Sequence, residues 1–383
     1  MENNSFQYRP LRMKSTDRIQ LHIVGGFLGS GKTTAIAAAT QLIRKQGLQA
    51  GVVTNDQGKY LVDSRFIASA RIPYGQVTNG CFCCNYNQLD EQINRLREER
   101  GVQVIFAESV GSCTDLIATV VKPLLVFKND ENERITLSIF ADAVLLFDFL
   151  RNGHSPFSKN IGYIYSKQIE EAEILVVNKT DVLKLEVLDE LKVLLAEKFQ
   201  EKTILYQNSL DTESVQKWIE KLNQFSGETF PERKSLDIDY QVYGTGEAEL
   251  AWFDQEIEIH SENADAHQIG KQLIEQILEG TTRRQWAIGH LKFILETDAR
   301  IEKISFTTNI NRRDLDELTV SKAVEAKLII NARIETEPDE LKQMVAGIVQ
   351  TIRTENKATI QEQNTSSFKP GFPNPTHRMS DAR

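Results

Sequence analysis

Three of the four cysteines in this 383-residue chain, Cys81, Cys83 and Cys84, are crowded into the stretch NGCFCCNY. Thiolates on one short loop can converge on a single soft cation, and Zn²⁺ prefers four nitrogen or sulfur ligands. The fourth position is open to water, a carboxylate or Cys113 of the segment GSCTD, although a lone cysteine is more often a core thiol. The alternatives for the cluster are a structural zinc clip and buried core cysteines.

A second group of residues predicts a phosphate site. The stretch GFLGSGKT follows an apolar strand, opens a helix and fits the pattern G-x-x-x-x-G-K-[ST], which makes a chance glycine turn a weak alternative. Its backbone N–H groups and the helix N-terminus attract phosphate oxygens. Lys32 is expected on the β- and γ-phosphates, and the Thr33 hydroxyl on Mg²⁺. The nucleotide-binding residues expected here are Gly26, Gly29, Ser30, Gly31, Lys32, Thr33 and Thr34.

The tetrapeptide NKTD, after the apolar strand EILVV, indicates which base is bound. The carboxylate of Asp181 can accept hydrogen bonds from N1–H and N2–H₂ of guanine, and adenine lacks this pair of donors. Asn178 and Lys179 are expected to shape the same pocket. The sequence therefore predicts GTP, and this guanine loop argues against a kinase or another P-loop transferase.

Acidic residues at strand ends are candidates for the hydrolytic step. Glu108 ends the strand VQVIF and can hold Mg²⁺ through a water or orient the attacking water, although it could be an ordinary strand-end glutamate. The segment VTNDQGKYLVD adds Asp56, a candidate contact to Mg²⁺ or water. It also adds Asp63, which could equally be a surface residue or a helix cap.

The order of the elements predicts how these residues are positioned. Apolar strands alternate with helices up to residue 225, which is typical of an α/β fold with a doubly wound, mostly parallel sheet. Ligands bind at the carboxyl ends of such strands. We expect a flexible arm at 1–18, a P-loop domain at 19–228, a smaller α+β domain with an antiparallel sheet at 235–355, and a disordered tail at 356–383.

Composition restricts the partners. The formal net charge of −9 argues against a nucleic-acid or anionic-membrane surface. The chain has no apolar run long enough to span a bilayer, and its N-terminus lacks the apolar region of a secretory signal. We therefore expect a cytoplasmic protein, in which thiols serve as ligands, nucleophiles or core residues and rarely as disulfides.

The motifs GGFLGSGKTT, NGCFCC, ESVG and NKTD, in this order, resemble those of the CobW-type metallochaperone P-loop GTPases, relatives of the urease and hydrogenase nickel-insertion GTPases. The resemblance covers residues 19–225 and implies GTP hydrolysis coupled to the binding and handover of a transition metal. By position, it implies metal ligands at Cys81, Cys83 and Cys84, phosphate and Mg²⁺ contacts at Lys32 and Thr33, hydrolysis at Glu108, and guanine recognition at Asn178, Lys179 and Asp181.

The resemblance leaves the cargo and the client open. The segment ESVGSCTD departs from many members, no histidine-rich stretch is present, and members linked to cobalamin synthesis make Co²⁺ an alternative to Zn²⁺. We expect a client metalloprotein to bind the C-terminal domain. The alternative is a regulatory GTP switch or activator of a metallo- or corrinoid enzyme with a structural zinc. The oligomeric state is open, a homodimer included.

Overall fold

The computed structural model describes residues 19–55, 67–68, 70–78, 80–128, 134–153, 155–225, 233–310 and 312–381. The predicted arm at 1–18, Asp56 and Asp63 lie outside this part of the chain. No helix within the described ranges is both long and apolar enough to cross a membrane.

The first sheet has seven parallel strands in the order β3–β2–β4–β1–β5–β6–β7. The strands are β1 (Gln20–Gly26), β2 (Ala50–Asn55), β3 (Tyr74–Val77), β4 (Val104–Glu108), β5 (Arg134–Asp142), β6 (Ile174–Asn178) and β7 (Thr203–Gln207). Strands β1, β2, β4 and β6 are buried along their whole length, as expected for a sheet covered on both faces.

Helices cover both faces of this sheet, and each face has its own hydrophobic cluster. The helices are α1 (Lys32–Lys45), α2 (Tyr86–Arg100), a π-helix (Ile117–Val121) that continues into α3 (Lys122–Lys128), α4 (Ala143–Asn152), α5 (Lys159–Glu171), a 3₁₀ turn (Thr180–Val182), α6 (Leu185–Lys198) and α7 (Thr212–Phe225). The predicted doubly wound parallel sheet is confirmed.

One apolar run forms a strand in its first part and a helix in its second part. The stretch ITLSIFADAVLLFDF suggests one strand, but the chain is helical from Ala143 onward. Asp142 causes the change, because its carboxylate accepts hydrogen bonds from the backbone N–H groups of Val144 and Leu145 and caps α4.

The second sheet is antiparallel and has five strands in the order β10–β9–β11–β8–β12. The strands are β8 (Leu250–His260), β9 (Ile288–Glu296), β10 (Ile301–Phe306), β11 (Glu325–Glu335) and β12 (Thr359–Phe368). The associated helices are α8 (Tyr240–Ala248), α9 (Ala266–Arg283), α10 (Arg313–Asp316) and α11 (Pro338–Glu355). Helices α9 and α11 share a hydrophobic cluster with one face of the sheet, so the predicted α+β architecture is confirmed.

Helix α8 lies within the predicted second domain but packs against α5 of the first. A Cβ atom at Gly246 would lie 2.7 Å from the backbone oxygen of Asn160, which shows how closely the two helices approach. The second sheet begins only at Leu250, so α8 connects the two domains.

The prediction of a disordered tail at 356–383 is wrong for its described part. Residues 359–368 form strand β12, which pairs with β8. Residues beyond it return to the first domain, where the backbone N–H of Thr376 donates to the Cys83 oxygen at 2.8 Å. The segment is polar, but backbone hydrogen bonds to β8 and contacts with the first domain hold it in place. Neither kind of contact can be inferred from the amino-acid composition of the segment.

Candidate functional site

Five neighbouring parallel strands each end in a glycine or a polar residue. The carboxyl ends of these strands meet at one edge of the sheet. They are Gly26 of β1, Asn55 of β2, Glu108 of β4, Asp142 of β5 and Asn178 of β6. The fold therefore brings together motifs that are far apart in the sequence.

The predicted phosphate loop connects β1 to α1. Gly31 has φ of +88°, and a Cβ atom there would lie 2.3 Å from Nδ2 of Asn178. Only glycine fits this position without displacing the asparagine. The Lys32 ammonium donates to the backbone oxygens of Gly26 at 2.7 Å and Phe27 at 3.2 Å, so it lies across the loop.

Thr33 and Glu108 are in direct contact at the edge of the loop. The Thr33 hydroxyl donates to Oε1 of Glu108 at 2.8 Å, and both side chains are buried. Strands β1 and β4 are neighbours, with Val24 opposite Glu108, which fixes this approach. A hydroxyl and a carboxylate beside a phosphate loop are oxygen donors of the kind Mg²⁺ takes, so these residues fit the ion.

The NKTD segment is held against the phosphate loop by Asn178. Its Nδ2 donates to the Ser30 backbone oxygen at 2.8 Å, and its Oδ1 accepts from the Ser209 hydroxyl at 2.8 Å. Lys179 has a left-handed backbone and pairs with Asp142 at 3.0 Å. Asp181 is exposed and lines the same cavity as the phosphate loop. Ser209 and Asp142 support this region, and sequence reasoning missed both.

One cavity of about 690 Å³ contains most of the predicted nucleotide residues. Its first-domain lining includes Gly29, Gly31, Lys32, Thr33, Thr34, Glu108, Asn178, Lys179 and Asp181. Ser30 is buried behind the loop, where its hydroxyl donates to the Phe27 oxygen at 2.7 Å. This volume lies in the range usual for cofactor and ligand sites.

The three clustered thiols are close enough to share one cation. The Sγ atoms of Cys81, Cys83 and Cys84 all lie within 4.8 Å of one another, and Cys81 and Cys84 are 3.3 Å apart. Backbone N–H groups of Cys84 and Asn85 donate to the Cys81 oxygen, which folds the loop tightly just before α2. Cys81 and Cys83 are buried, and Cys84 is half-buried. Soft thiol donors with this spacing fit Zn²⁺.

Cys113 joins this cluster. Its thiol is buried and close enough to those of Cys81 and Cys83 to affect their ionisation. Interactions with the thiols of Cys113, Cys83 and Cys84 hold the pKa of Cys81 well below its ordinary value, whereas the interaction with Cys81 raises the pKa of Cys113. The four thiols thus favour one negative charge on Cys81. The feature of the sequence that could have connected Cys113 with the site is its position five residues after Glu108.

Helix α8 closes one side of the cluster. Glu247 is buried and accepts a hydrogen bond from the Ser112 hydroxyl at 2.6 Å. Burial raises the pKa of Glu247 to about 8, and the negative charge of Cys81 adds to this effect. The backbone N–H of Thr114 donates to the Tyr243 hydroxyl at 3.3 Å. The segment that carries Cys113 is therefore held by a helix from outside the first sheet.

Residues 374–379, here named the strap, lie over the remaining open side. The backbone N–H of Asn374 donates to Sγ of Cys84 at 3.3 Å, and the Thr376 hydroxyl donates to the Cys84 oxygen at 2.9 Å. Arg378 pairs with the buried Asp115 at 2.7 Å and anchors the strap. The half-buried thiol of the cluster is thereby covered by a part of the chain that the sequence did not connect with it.

Two structural links join the nucleotide cavity to the thiols. Asn55 lines the cavity, and its Nδ2 donates to the Gly80 oxygen at 2.8 Å. The second link is the segment 108–113, which begins at the carboxylate bound to Thr33 and ends at Cys113. Gln168 of α5 donates to the Gly111 oxygen at 2.9 Å and the Cys113 oxygen at 2.8 Å, and so fixes this segment.

Two named proteins are similar in sequence to part of this chain. Zinc chaperone YjiA from Escherichia coli (strain K12) is 26% identical over 175 residues, which are 43% of this chain and 50% of that protein. Zinc-regulated GTPase metalloprotein activator 1 from Dictyostelium discoideum is 25% identical over 115 residues, 26% of this chain and 24% of that protein. The chain thus spans half or less of the length of these relatives.

Among solved structures, HypB from Helicobacter pylori in complex with nickel is 15% identical, with a TM-score of 0.42 over 57% of this chain and 92% of that one. The family model described as "CobW/HypB/UreG, nucleotide-binding domain" matches residues 20–206. These residues carry all four predicted motifs, so this segment of the chain is similar to the nucleotide-binding domain of that family.

Proposed function

We propose that this protein is a GTP-hydrolysing metallochaperone that binds a transition metal through Cys81, Cys83 and Cys84 and hands it to a client protein. The observation that carries the proposal is the physical continuity between its two sites. Asn55 and the segment 108–113 each reach from the nucleotide cavity to the thiol cluster. A change at the phosphates that moves either segment alters the spacing of the thiols and hence the metal affinity.

In this proposal the phosphate loop holds GTP. Lys32, which now bonds to the loop backbone, would contact the β- and γ-phosphates, and the Thr33 hydroxyl beside Glu108 would hold Mg²⁺. Mg²⁺, when bound, neutralises charge on the phosphate oxygens. Glu108 is then positioned to orient the attacking water or to hold the ion through a water. Asp181 reads guanine from the exposed side of the cavity.

The thiol cluster is proposed to carry Zn²⁺ as cargo. Thiolates are soft donors, and the lowered pKa of Cys81 makes one of them available without alkaline conditions. Two similar proteins have zinc in their names, as a chaperone and as an activator. Co²⁺ is the second candidate, since it accepts the same ligands.

The decisive experiment is a measurement of Zn²⁺ affinity in three states: with a non-hydrolysable GTP analogue, with GDP, and without nucleotide. A chromophoric chelator of known affinity serves as the competitor. We expect the affinities in the GTP and GDP states to differ by roughly 5–150-fold, a coupling of about 1–3 kcal/mol. Equal affinities in all three states would contradict the chaperone function.

Cys113 favours a second candidate function, a GTP-dependent regulator or activator with a structural zinc. Structural zinc sites have four protein ligands, and a fourth thiol adjoins the cluster. Exchange against isotopically labelled zinc separates the two functions. Cargo zinc exchanges during cycles of GTP binding and hydrolysis, whereas structural zinc remains bound through the same cycles.

A further inference from the structure

The wall of the nucleotide cavity that faces the phosphate loop belongs to the second domain. Its polar residues come from β9, β10, β11 and the turn after β10: His290, Lys292, Lys303, Ser305, Thr307, Asn309 and Arg333. These residues lie outside the motifs of the first domain and outside the matched segment 20–206.

The second domain touches the phosphate loop itself. A Cβ atom at Gly29 would lie 2.2 Å from Cγ2 of Thr307 and 2.9 Å from the backbone oxygen of Gly289. A Cβ atom at Gly289 would in turn lie 2.6 Å from Cδ1 of Leu28. The absence of a side chain on both glycines therefore lets β9 and the end of β10 approach the loop that holds phosphate.

Strand geometry directs the two lysines toward the cavity. In the antiparallel register Ser305 lies opposite Lys292, so Lys292, Lys303 and Ser305 share one face of the sheet. The alternate residues Leu291 and Phe293 belong to the hydrophobic cluster with α9 and α11. Both lysines are half-buried, which reduces the screening of their charge by water.

The charges around the cavity are divided between the domains. Arg333 is buried, pairs with Asp254 at 3.0 Å and stacks on Trp252, so its charge is balanced inside the second sheet. Among the described residues that line the cavity, the carboxylates Glu108, Asp142 and Asp181 all belong to the first domain. The described part of the wall that faces the phosphate loop thus places Lys292 and Lys303, and no carboxylate, in the cavity lining.

We propose that Lys292 and Lys303 bind the polyphosphate of the nucleotide held in the phosphate loop, so that the second domain forms part of the nucleotide site. This inference rests on the proposed nucleotide binding. An ammonium group acts on phosphate as a compact point charge, and its effect grows with the charge of the ligand. The two domains are therefore held together more tightly by a triphosphate than by a diphosphate.

The test uses the full chain with Lys292→Ala, Lys303→Ala and both together. Affinities for a non-hydrolysable GTP analogue, GDP and guanosine are measured by calorimetry. We expect the double variant to lose roughly tenfold or more in affinity for the GTP analogue, less for GDP, and nothing for guanosine. Lys303→Arg retains the charge, so this variant is expected to keep most of the affinity that Lys303→Ala loses.

Lys327→Ala is the matched control. Lys327 lies on the same face of the second sheet, pairs with Glu256, and is outside the cavity lining.

Unchanged affinity of a folded double variant for the GTP analogue overturns the inference, as does an equal loss for guanosine, which has no phosphate. A wild-type chain that binds ATP in preference to GTP overturns the proposed guanine specificity, and the lysines are then tested with an ATP analogue. A wild-type chain that binds neither triphosphate overturns both proposals.

Discussion

Oδ1 of Asn55 accepts a hydrogen bond of 2.9 Å from the backbone N–H of Phe82, in the middle of the cysteine loop. Asn55 also lines the nucleotide cavity. We expect Asn55→Ala to reduce the difference in Zn²⁺ affinity between the GTP and GDP states toward unity. It should also lower the free energy of unfolding by about 1–3 kcal/mol, since buried partners lose their hydrogen bonds.

Competition with a chelator in both nucleotide states checks this prediction. The control is Asn94→Ala on α2, where the asparagine bonds to Asp90 and Lys128 and is outside the cavity lining. An Asn55→Ala protein that retains the full difference between the two states would show that the coupling takes another route.

Base recognition should depend on Asp181. We expect Asp181→Asn to weaken guanine nucleotide binding by about 1–3 kcal/mol, because the amide cannot accept both hydrogen bonds as a carboxylate does. Direct competition between GTP and ATP measures the effect. The prediction fails if the unmodified protein takes ATP as readily as GTP.

Hydrolysis should depend on Glu108. We expect Glu108→Gln to bind GTP and to hydrolyse it roughly 100-fold or more slowly, since the carboxamide keeps the size but loses the charge. The amide oxygen can still accept the Thr33 hydroxyl, so the fold should be retained. Single-turnover rates provide the measurement, and an unchanged rate would remove Glu108 from the mechanism. Lys32→Ala should lose nucleotide affinity together with turnover.

Metal binding should depend on the thiols. Replacement of Cys81, Cys83 and Cys84 together by serine is expected to abolish tight Zn²⁺ binding, because serine oxygens are poor ligands for a soft cation. The affinity of the unmodified protein should fall as the pH falls, since the ligands bind as thiolates. A Cys113→Ser variant separates the role of the fourth thiol, and Co²⁺ absorption spectra report how many thiolates bind. Unfolding of the triple variant would identify the zinc as structural.

The stability of the fold should vary with pH through Glu171. Its carboxylate accepts hydrogen bonds from Thr114 and the backbone N–H of Leu116, and burial raises its pKa from 4.5 to about 8, with Asp115 adding to the shift. Between these values the folded chain retains a proton that the unfolded chain has lost. The contribution of Glu171 to the free energy of unfolding therefore falls as the pH rises through this window, by at most about 1.4 kcal/mol per pH unit.

Urea unfolding at several pH values within this window checks that slope. Glu171→Gln cannot titrate and should remove this contribution from the slope, whereas Glu170→Gln, which changes an exposed carboxylate paired with Lys167, should leave the slope unchanged. An unchanged slope in Glu171→Gln would assign the pH dependence to other groups.

The parts of the site that could be predicted from sequence are those whose chemistry needs contiguous residues. The phosphate loop, NKTD and the clustered cysteines each carry their spacing within a few positions. Asn55 and Cys113 reach the thiols only because β2 and β4 are neighbours in the sheet, and no local pattern records that. Lys292 and Lys303 have no motif, since their role comes from the docking of one domain on another.

The strap has a consequence for the order of events during synthesis. Asn374 follows Cys84 by 290 residues. At about 5–20 residues per second, the cysteine loop is made on the order of 15–60 s before its cover. Because domains fold as units during synthesis, the nucleotide-binding domain can fold while Cys84 still faces solvent. Every new molecule thus passes through a period in which the thiols are assembled and open to metal, before the strap reaches them.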